Sequence, residues 1–250
     1  MKSQIIKTEE LSKSFKNDGA DTNVIRRLCI SVYEGEFTVI MGNSSSGKST
    51  LLYLLCGLDK ATSGKIWIDD IPVHDRPEKD LALLRRNKVG FIFQDNNLVS
   101  NLTIKENILI AGCLLNKEKK LLNQRIDQLL EELDIIHLAH RMPSQVSGGE
   151  LQRCAIARAL VNNPVILLAD EPTGSLNSEA SERVLDCLES LHKEGQSIIM
   201  VTHNIKSAVR GQRILFFRDG TVIDELLFDP NCNATAKEET LFHWLKERGW

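Results

Sequence analysis

The sequence predicts an α/β fold with a mostly parallel core sheet, and three observations carry that prediction. The runs FTVIM at residues 37–41, VILLA at 165–169 and SIIMVT at 197–202 are nearly all apolar. They lack the polar alternation of a half-solvated strand, so each suits a strand covered on both faces. The stretch SEASERVLDCLESLHKEG, which separates the last two runs, has a helical pattern. A strand, helix, strand order joins parallel strands through crossover helices.

Along the chain, the first third reads as β-rich, with short β-favouring runs in SQIIKTEEL, NVIRRLCISVYEGEFTVIM and GKIWIDDIPV broken by Gly, Asp and Pro. The segment from Glu34 to Glu36 is a turn into FTVIM, and STLLYLLCG after it is a helix that Gly57 stops. The middle, about residues 96–144, is helical in pattern. The segment RILFFRDGTVIDE forms a β pair that turns at Asp219-Gly220. From Ala236 onward, Leu241, Trp244 and Leu245 share one helical face, which packs on the parent domain or meets a partner.

Bulk properties exclude several function classes. Of the 250 residues, 31 are Lys or Arg and 34 are Asp or Glu, a net charge of −3. No basic stripe for nucleic acid is advertised, and no nucleic-acid partner is expected. The six cysteines, at 29, 56, 113, 154, 187 and 232, form no C-x-x-C pair. They read as buried, reduced thiols rather than a zinc site or disulfide framework. MKSQIIKTEE has no apolar core of signal-peptide length, and the longest apolar run, LLYLLCGL, is far short of a membrane span. The chain is expected to be soluble by itself, with something else holding it at any membrane where it works.

Three longer motifs point to phosphate chemistry. Gly42, Gly47, Lys48 and Ser49 satisfy the pattern Gly-x4-Gly-Lys-Ser between an apolar strand and a helix. In such a loop, which here runs through Asn43, Ser44, Ser45 and Ser46 to Thr50, backbone N–H groups converge on a phosphate at the helix N-terminus. Lys48 adds charge to the β- and γ-phosphates, and the Ser49 hydroxyl can ligate Mg²⁺. VILLADEP ends a buried strand on Asp170 and Glu171. Two acids there are costly unless a ligand waits, and ligands of open α/β sheets bind at the carboxyl ends of strands. Asp170 would hold Mg²⁺, mostly through water, and Glu171 would polarise the water attacking a γ-phosphate. Ser147 and Glu150 have capping-box spacing, with Gly148 and Gly149 opening the helix between them. Glycine weakens a helix there by up to about 1 kcal/mol, so a close approach to the backbone is expected, a phosphate being the first candidate. Arg153 and Arg158 on that helix read as ordinary surface or intramolecular pairing.

Taken together, these pieces resemble the nucleotide-binding subunit of ATP-binding cassette (ABC) transporters over about residues 5–224. In that family GNSSSGKST corresponds to the Walker A loop, VSGGE to the signature motif and VILLADE to the Walker B strand. Gln94 in VGFIFQDNNL resembles the Q-loop glutamine, His203 in IIMVTHN the switch histidine, and residues 174–177, GSLN, the D-loop. Phe15, in LSKSF, falls where the family places an aromatic ring against adenine. Alone, each of these single residues is an ordinary polar cap, structural histidine or core aromatic; their order around the longer motifs carries the assignment.

The resemblance implies a P-loop NTPase fold with an N-terminal antiparallel β subdomain and an inserted helical subdomain near residues 96–160. The ATPase domain would span 1–229 and an amphipathic helical tail 230–250. It implies ATP and Mg²⁺ as cofactors, with Ser49, Gln94 and Asp170 toward the metal and Lys48, Gln94, Glu171 and His203 as catalytic residues. Two chains, identical or paralogous, would trap ATP head to tail, each nucleotide also meeting Ser147, Gly148, Gly149 and Glu150 of the other. As the resemblance implies, ATP would close the dimer, hydrolysis would reopen it, and the motion would drive an integral membrane permease from the cytoplasmic face. Within the family, GKIWIDDIPV and RMPSQVSGGELQRCAIARALVNNPVILLADEPTGSLNS resemble a bacterial branch of lipoprotein release, macrolide efflux and antimicrobial-peptide removal. A cell-division ATPase of that branch, which signals through a membrane partner without transport, is the alternative. The chain departs from the family at Val146, Glu150 and Asn177, and at Ser45, which replaces a glycine and is expected at negative φ.

Overall fold

The computed structural model describes residues 2–17, 20–43, 46–115, 118–229 and 231–250, without the side chains of residues 17, 20 and 21. Strands β1 (Gln4–Asn17), β2 (Ala20–Leu28) and β3 (Ser31–Tyr33) come first, and β4 (Phe37–Met41) leads into helix α1 (Lys48–Leu55). Strands β5 (Ser63–Ile68) and β6 (Ile71–Pro72), helix α2 (Glu78–Lys88) and strand β7 (Val89–Ile92) follow. Next come helices α3 (Ile104–Cys113), α4 (Lys119–Glu132) and α5 (Gly148–Leu160), then β8 (Ile166–Asp170), α6 (Ser178–Lys193) and β9 (Ser197–Thr202). The short α7 (Ile205–Ala208), the hairpin β10 (Arg213–Arg218) and β11 (Thr221–Leu227), and α8 (Ala234–Glu247) complete the order.

The core sheet runs β11-β10-β4-β9-β8-β7. Every pair in it is parallel except the β10/β11 hairpin, as the apolar runs predict. Strands β4, β8 and β9 are buried along their whole length, and their residues alternate between two cores. Val39, Leu167 and Met200 face one core with α3 to α6 and α8, whereas Ile40, Leu168 and Val201 face the other with α1 and the N-terminal strands. The two-residue period of a strand, sandwiched between layers, explains why these runs carry no polar alternation. The second sheet, β2-β1-β5-β6 with β3 also on β1, is antiparallel and covers α1.

Local signals set the joints. Gly35 turns with φ 65° and Gly57 stops α1 with φ 69°, both left-handed conformations in which a side chain is strained. Asp219 and Gly220 both take positive φ, 52° and 82°, the geometry a two-residue hairpin needs to match strand twist. The tail helix α8 lays Leu241 and Leu245 fully into the core, with Trp244 edge-on to Phe216 at 6.0 Å.

Three expectations are corrected. Helix α2 falls in a region the β-rich reading did not assign to a helix. It buries only Leu81 and Leu84, so its apolar period is faint. Its true signals are Pro77 at the N-cap, Glu78 and Asp80 in the first turn, and Arg85, Arg86 and Lys88 in the last. The helical middle begins only at Ile104, where Thr103 caps α3 and its N–H donates to Glu106 Oε2 at 2.8 Å. The cysteines do not share one environment: Cys56 and Cys154 are buried, Cys187 is intermediate, and Cys29, Cys113 and Cys232 are exposed. Burial pushes the Cys56 and Cys154 thiols up to about 12. The thiolate is the reactive form, so a thiol alkylator applied to native protein should label Cys29, Cys113 and Cys232 and spare Cys56 and Cys154. Peptide mass mapping checks this. Among the described residues, no helix is long and apolar enough to cross a membrane.

Candidate functional site

The phosphate loop leaves the carboxyl end of β4 at the middle of the sheet. A Cβ on Gly42 would lie 2.1 Å from the Phe217 carbonyl oxygen. Gly47, with φ 99°, would place one 2.6 Å from Val24 Cγ1. Both positions therefore require glycine, for crowding at the first and for crowding and backbone at the second. Gly47 is the N-cap of α1 and, among the described residues, no side chain caps the helix, so its first-turn N–H groups are available to an anion. Lys48 curls back over the loop and donates to the carbonyls of Gly42 at 2.7 Å and Asn43 at 2.8 Å. Burial pulls its pKa down, against the opposing pull of Glu171 and Asp170. Ser44 and Ser45, and with them the backbone expectation at Ser45, lie outside the described residues.

The sheet order then assembles the rest. Strand β9 inserts between β4 and β8, so three strand ends meet beside the loop. The Ser49 hydroxyl donates to Asp170 Oδ1 at 2.8 Å. Asp170 is 6% exposed, and burial pushes its pKa up despite that bond. Glu171 turns out of β8 with φ 45°, a strained conformation for a residue other than glycine, held by its N–H on the Val201 carbonyl at 3.0 Å. Its Oε1 accepts from His203 Nδ1–H at 2.8 Å. Gln94, just beyond β7, places its amide over Gly174, where an added Cβ would lie 3.1 Å from Nε2. Residues 46–50, Gln94, Glu171 and His203 line one open cavity of about 490 Å³.

Phe15 is not among the residues lining that cavity. It sits on β1 opposite Thr22, two residues before Val24, which does line it. The serine–glycine–glycine turn is separate too. Ser147, Gly148 and Gly149 line a second cavity of about 370 Å³ with Ser175, Leu176 and Asn177. The close backbone approach expected at this turn exists within the chain. Gly149 lies against α6, where a Cβ would come 2.8 Å from that of Ala180, and Gly148 lies against Leu176. Glu150 accepts from the Ser147 N–H at 3.0 Å and from its hydroxyl, which holds its carboxyl below the usual range, so it acts as a helix cap in its own chain. Asn177 caps α6 by accepting from the Ala180 N–H at 2.9 Å, a task an aspartate would also perform.

Several contributors escaped the sequence reading. The Tyr53 phenol lies near Asp170, and burial first and then that carboxylate push its pKa up; its spacing of four from Ser49, one face of α1, was the available signal. Gln152, buried in α5, donates to the Phe93 carbonyl at 3.1 Å, and Arg158 to the Asn96 carbonyl at 2.6 Å. Together they tie the helix after the glycine turn to the segment around Gln94. Arg158 thus makes an intramolecular pairing, as expected; Arg153 instead is buried, and its Nε finds no partner among the described residues.

Comparison with known proteins gives the family and the fold. The family model described as "ABC transporter" matches residues 25–174. The lipoprotein-releasing system ATP-binding protein LolD of Aquifex aeolicus is 41% identical over 223 residues, covering 89% of this chain and 98% of that protein. The macrolide export ATP-binding/permease protein MacB of Mannheimia succiniciproducens is 38% identical over 98% of this chain, which spans only 38% of that longer protein. Among solved structures, the ATP-binding cassette MJ0796, a protein of Methanocaldococcus jannaschii, superimposes with a TM-score of 0.83 at 36% identity. The match covers 90% of this chain and 99% of that one, a dimer in a post-hydrolysis state bound to ADP and Pi.

Proposed function

The chain belongs to the ABC transporter family, and from that premise we propose that it is the ATP-hydrolysing subunit of a membrane exporter or mechanotransmission system. The observation that carries the reading is the single cavity in which Lys48, Ser49, Gln94, Glu171 and His203 converge, with Asp170 behind Ser49. The phosphates seat on the first-turn N–H groups of α1 and on Lys48, which exchanges its carbonyl partners for phosphate oxygens. The Ser49 hydroxyl, the Asp170 carboxylate and the Gln94 amide offer hard oxygen donors that fit Mg²⁺. Among the described residues there is no cluster of three or more His, Cys, Asp or Glu that would cage a metal, which suits an ion held partly by substrate phosphate and water. When bound, Mg²⁺ neutralises charge developing on the transferred group. Glu171 accepts the proton of the attacking water, and His203 orients the carboxylate through their shared hydrogen bond.

The glycine turn at Ser147 lines a cavity away from this chain's own phosphate loop, and in the head-to-tail dimer that the family resemblance implies, a second copy's nucleotide would meet it there. A groove of about 420 Å³ beside Gln94, lined by Phe91, Phe93, Leu114 and Arg158, is the seat for the permease on the cytoplasmic face of the membrane. Peptides, lipoproteins or drugs are the cargo class, in line with the named relatives.

Co-purification tests the assignment. The chain should come out of detergent-solubilised membranes with an integral membrane protein, whereas recovery with ribosomes instead would reverse it. Leu114 is 49% exposed and its substitution spares the core. Leu114→Asp should keep the ATPase activity of the isolated subunit and lose the membrane protein; retained co-purification would rule out this groove as the seat.

A further inference from the structure

We propose that Lys13 is a positioning residue for the nucleotide base, its ammonium holding the Phe15 ring as a platform whose place is set by the far end of the phosphate-loop helix. The proposal rests on the reading of Phe15 as the adenine contact and assigns its control to a residue outside the motifs.

Lys13 and Phe15 are two apart on β1 and so share a face of the strand. The β1/β2 register slips on both sides of Lys13, between Leu11 and Lys13 and again between Lys13 and Ser14. At both slips the extra residue lies on β2, so β1 keeps its alternation and Lys13 and Phe15 stay on one face. Lys13 is only 9% exposed, and its Nζ lies 4.7 Å from the centre of the Phe15 ring. The same ammonium donates to Asp59 Oδ1 at 2.7 Å and to the Lys60 carbonyl at 2.8 Å. Burying an ammonium is unfavourable unless its donors are used, and here all three directions are taken. Asp59 is anchored in turn by its N–H on the Tyr53 carbonyl at 3.2 Å. Tyr53 lies on α1, which begins with Lys48 and Ser49. One side chain therefore links the ring to the helix that receives the phosphates, and so sets the spacing between base and phosphate contacts.

Phe15 is 39% exposed, which leaves it open to a flat base. An ammonium on one side draws the π cloud toward itself and favours stacking of an electron-rich base on the other. A ring already pinned also loses less freedom when the base arrives.

The test measures ADP and inorganic triphosphate affinities on the full chain by competition with a fluorescent ADP. Lys13→Met should weaken ADP by about three- to tenfold and leave inorganic triphosphate within about twofold. Equal loss for both ligands would make Lys13 a plain structural tie, and no loss for ADP would give it no role; either result overturns the proposal. Phe15→Ala separates the two layers of inference. It should weaken ADP at least as much as Lys13→Met does. If Phe15→Ala leaves ADP untouched, the platform reading itself fails; if it weakens ADP while Lys13→Met does not, only the role of Lys13 fails.

Discussion

Glu171→Gln should bind ATP, stop turnover and accumulate as an ATP-bound dimer. The carboxylate stands at the carboxyl end of β8 with φ 45° and accepts from His203 at 2.8 Å. A strained backbone at that point persists only if the surroundings over-determine it; here the Glu171 N–H is fixed on Val201 and its carbonyl accepts from Gly174 at 2.9 Å. Glutamine keeps the shape and an oxygen to face His203, but it cannot take a proton from water. Loss of a general base costs about 10²- to 10⁴-fold in rate. Phosphate contacts on Lys48 and the first turn of α1 are untouched, so binding survives and the closed dimer outlives its normal reopening step. Steady-state phosphate release and light scattering with ATP and Mg²⁺ check both halves. Unchanged hydrolysis would refute the role given to Glu171.

Lys48→Ala should lose nucleotide affinity by about ten- to a hundredfold or more, since a hydrogen bond to a charged group contributes about 1.5–3 kcal/mol. The substitution acts twice. It removes the cation from the phosphates, and it frees the Gly42 and Asn43 carbonyls that the ammonium now satisfies at 2.7 and 2.8 Å. The loop should loosen even without ligand. Calorimetric titration with ADP reads the loss, and normal nucleotide binding by the variant would sink the assignment of this loop.

The legibility of these features follows from how local their causes are. The phosphate loop was readable because Gly42 and Gly47 answer to backbone geometry and crowding that only glycine meets, and Lys48 and Ser49 follow at fixed offsets. Strands β4, β8 and β9 were readable because burial on both faces leaves a continuous apolar run. Helix α2 was not, because it buries two leucines and is otherwise a charged surface helix. The glycine turn was read correctly as a place of close approach, but its intrachain partner, Ala180, is 31 residues from Gly149 and no spacing rule reaches that far. Gln152, and the carbonyl partner of Arg158, were missed for the same reason, since each contact forms with an atom that only the packing of α5 brings near.

By itself, then, the sequence determined the α/β class, the buried parallel strands and the glycine positions of the phosphate loop, all of which depend on residue type within a few positions. The tertiary structure decided the insertion of β9 between β4 and β8, which sets His203 against Glu171 and Ser49 against Asp170. It also decided the separation of the glycine turn from the phosphate-loop cavity, the differing burial of the cysteines, and the tie from Lys13 to Phe15 and Asp59. These rest on contacts between residues distant along the chain, and local propensity carries no information about which distant surfaces will meet.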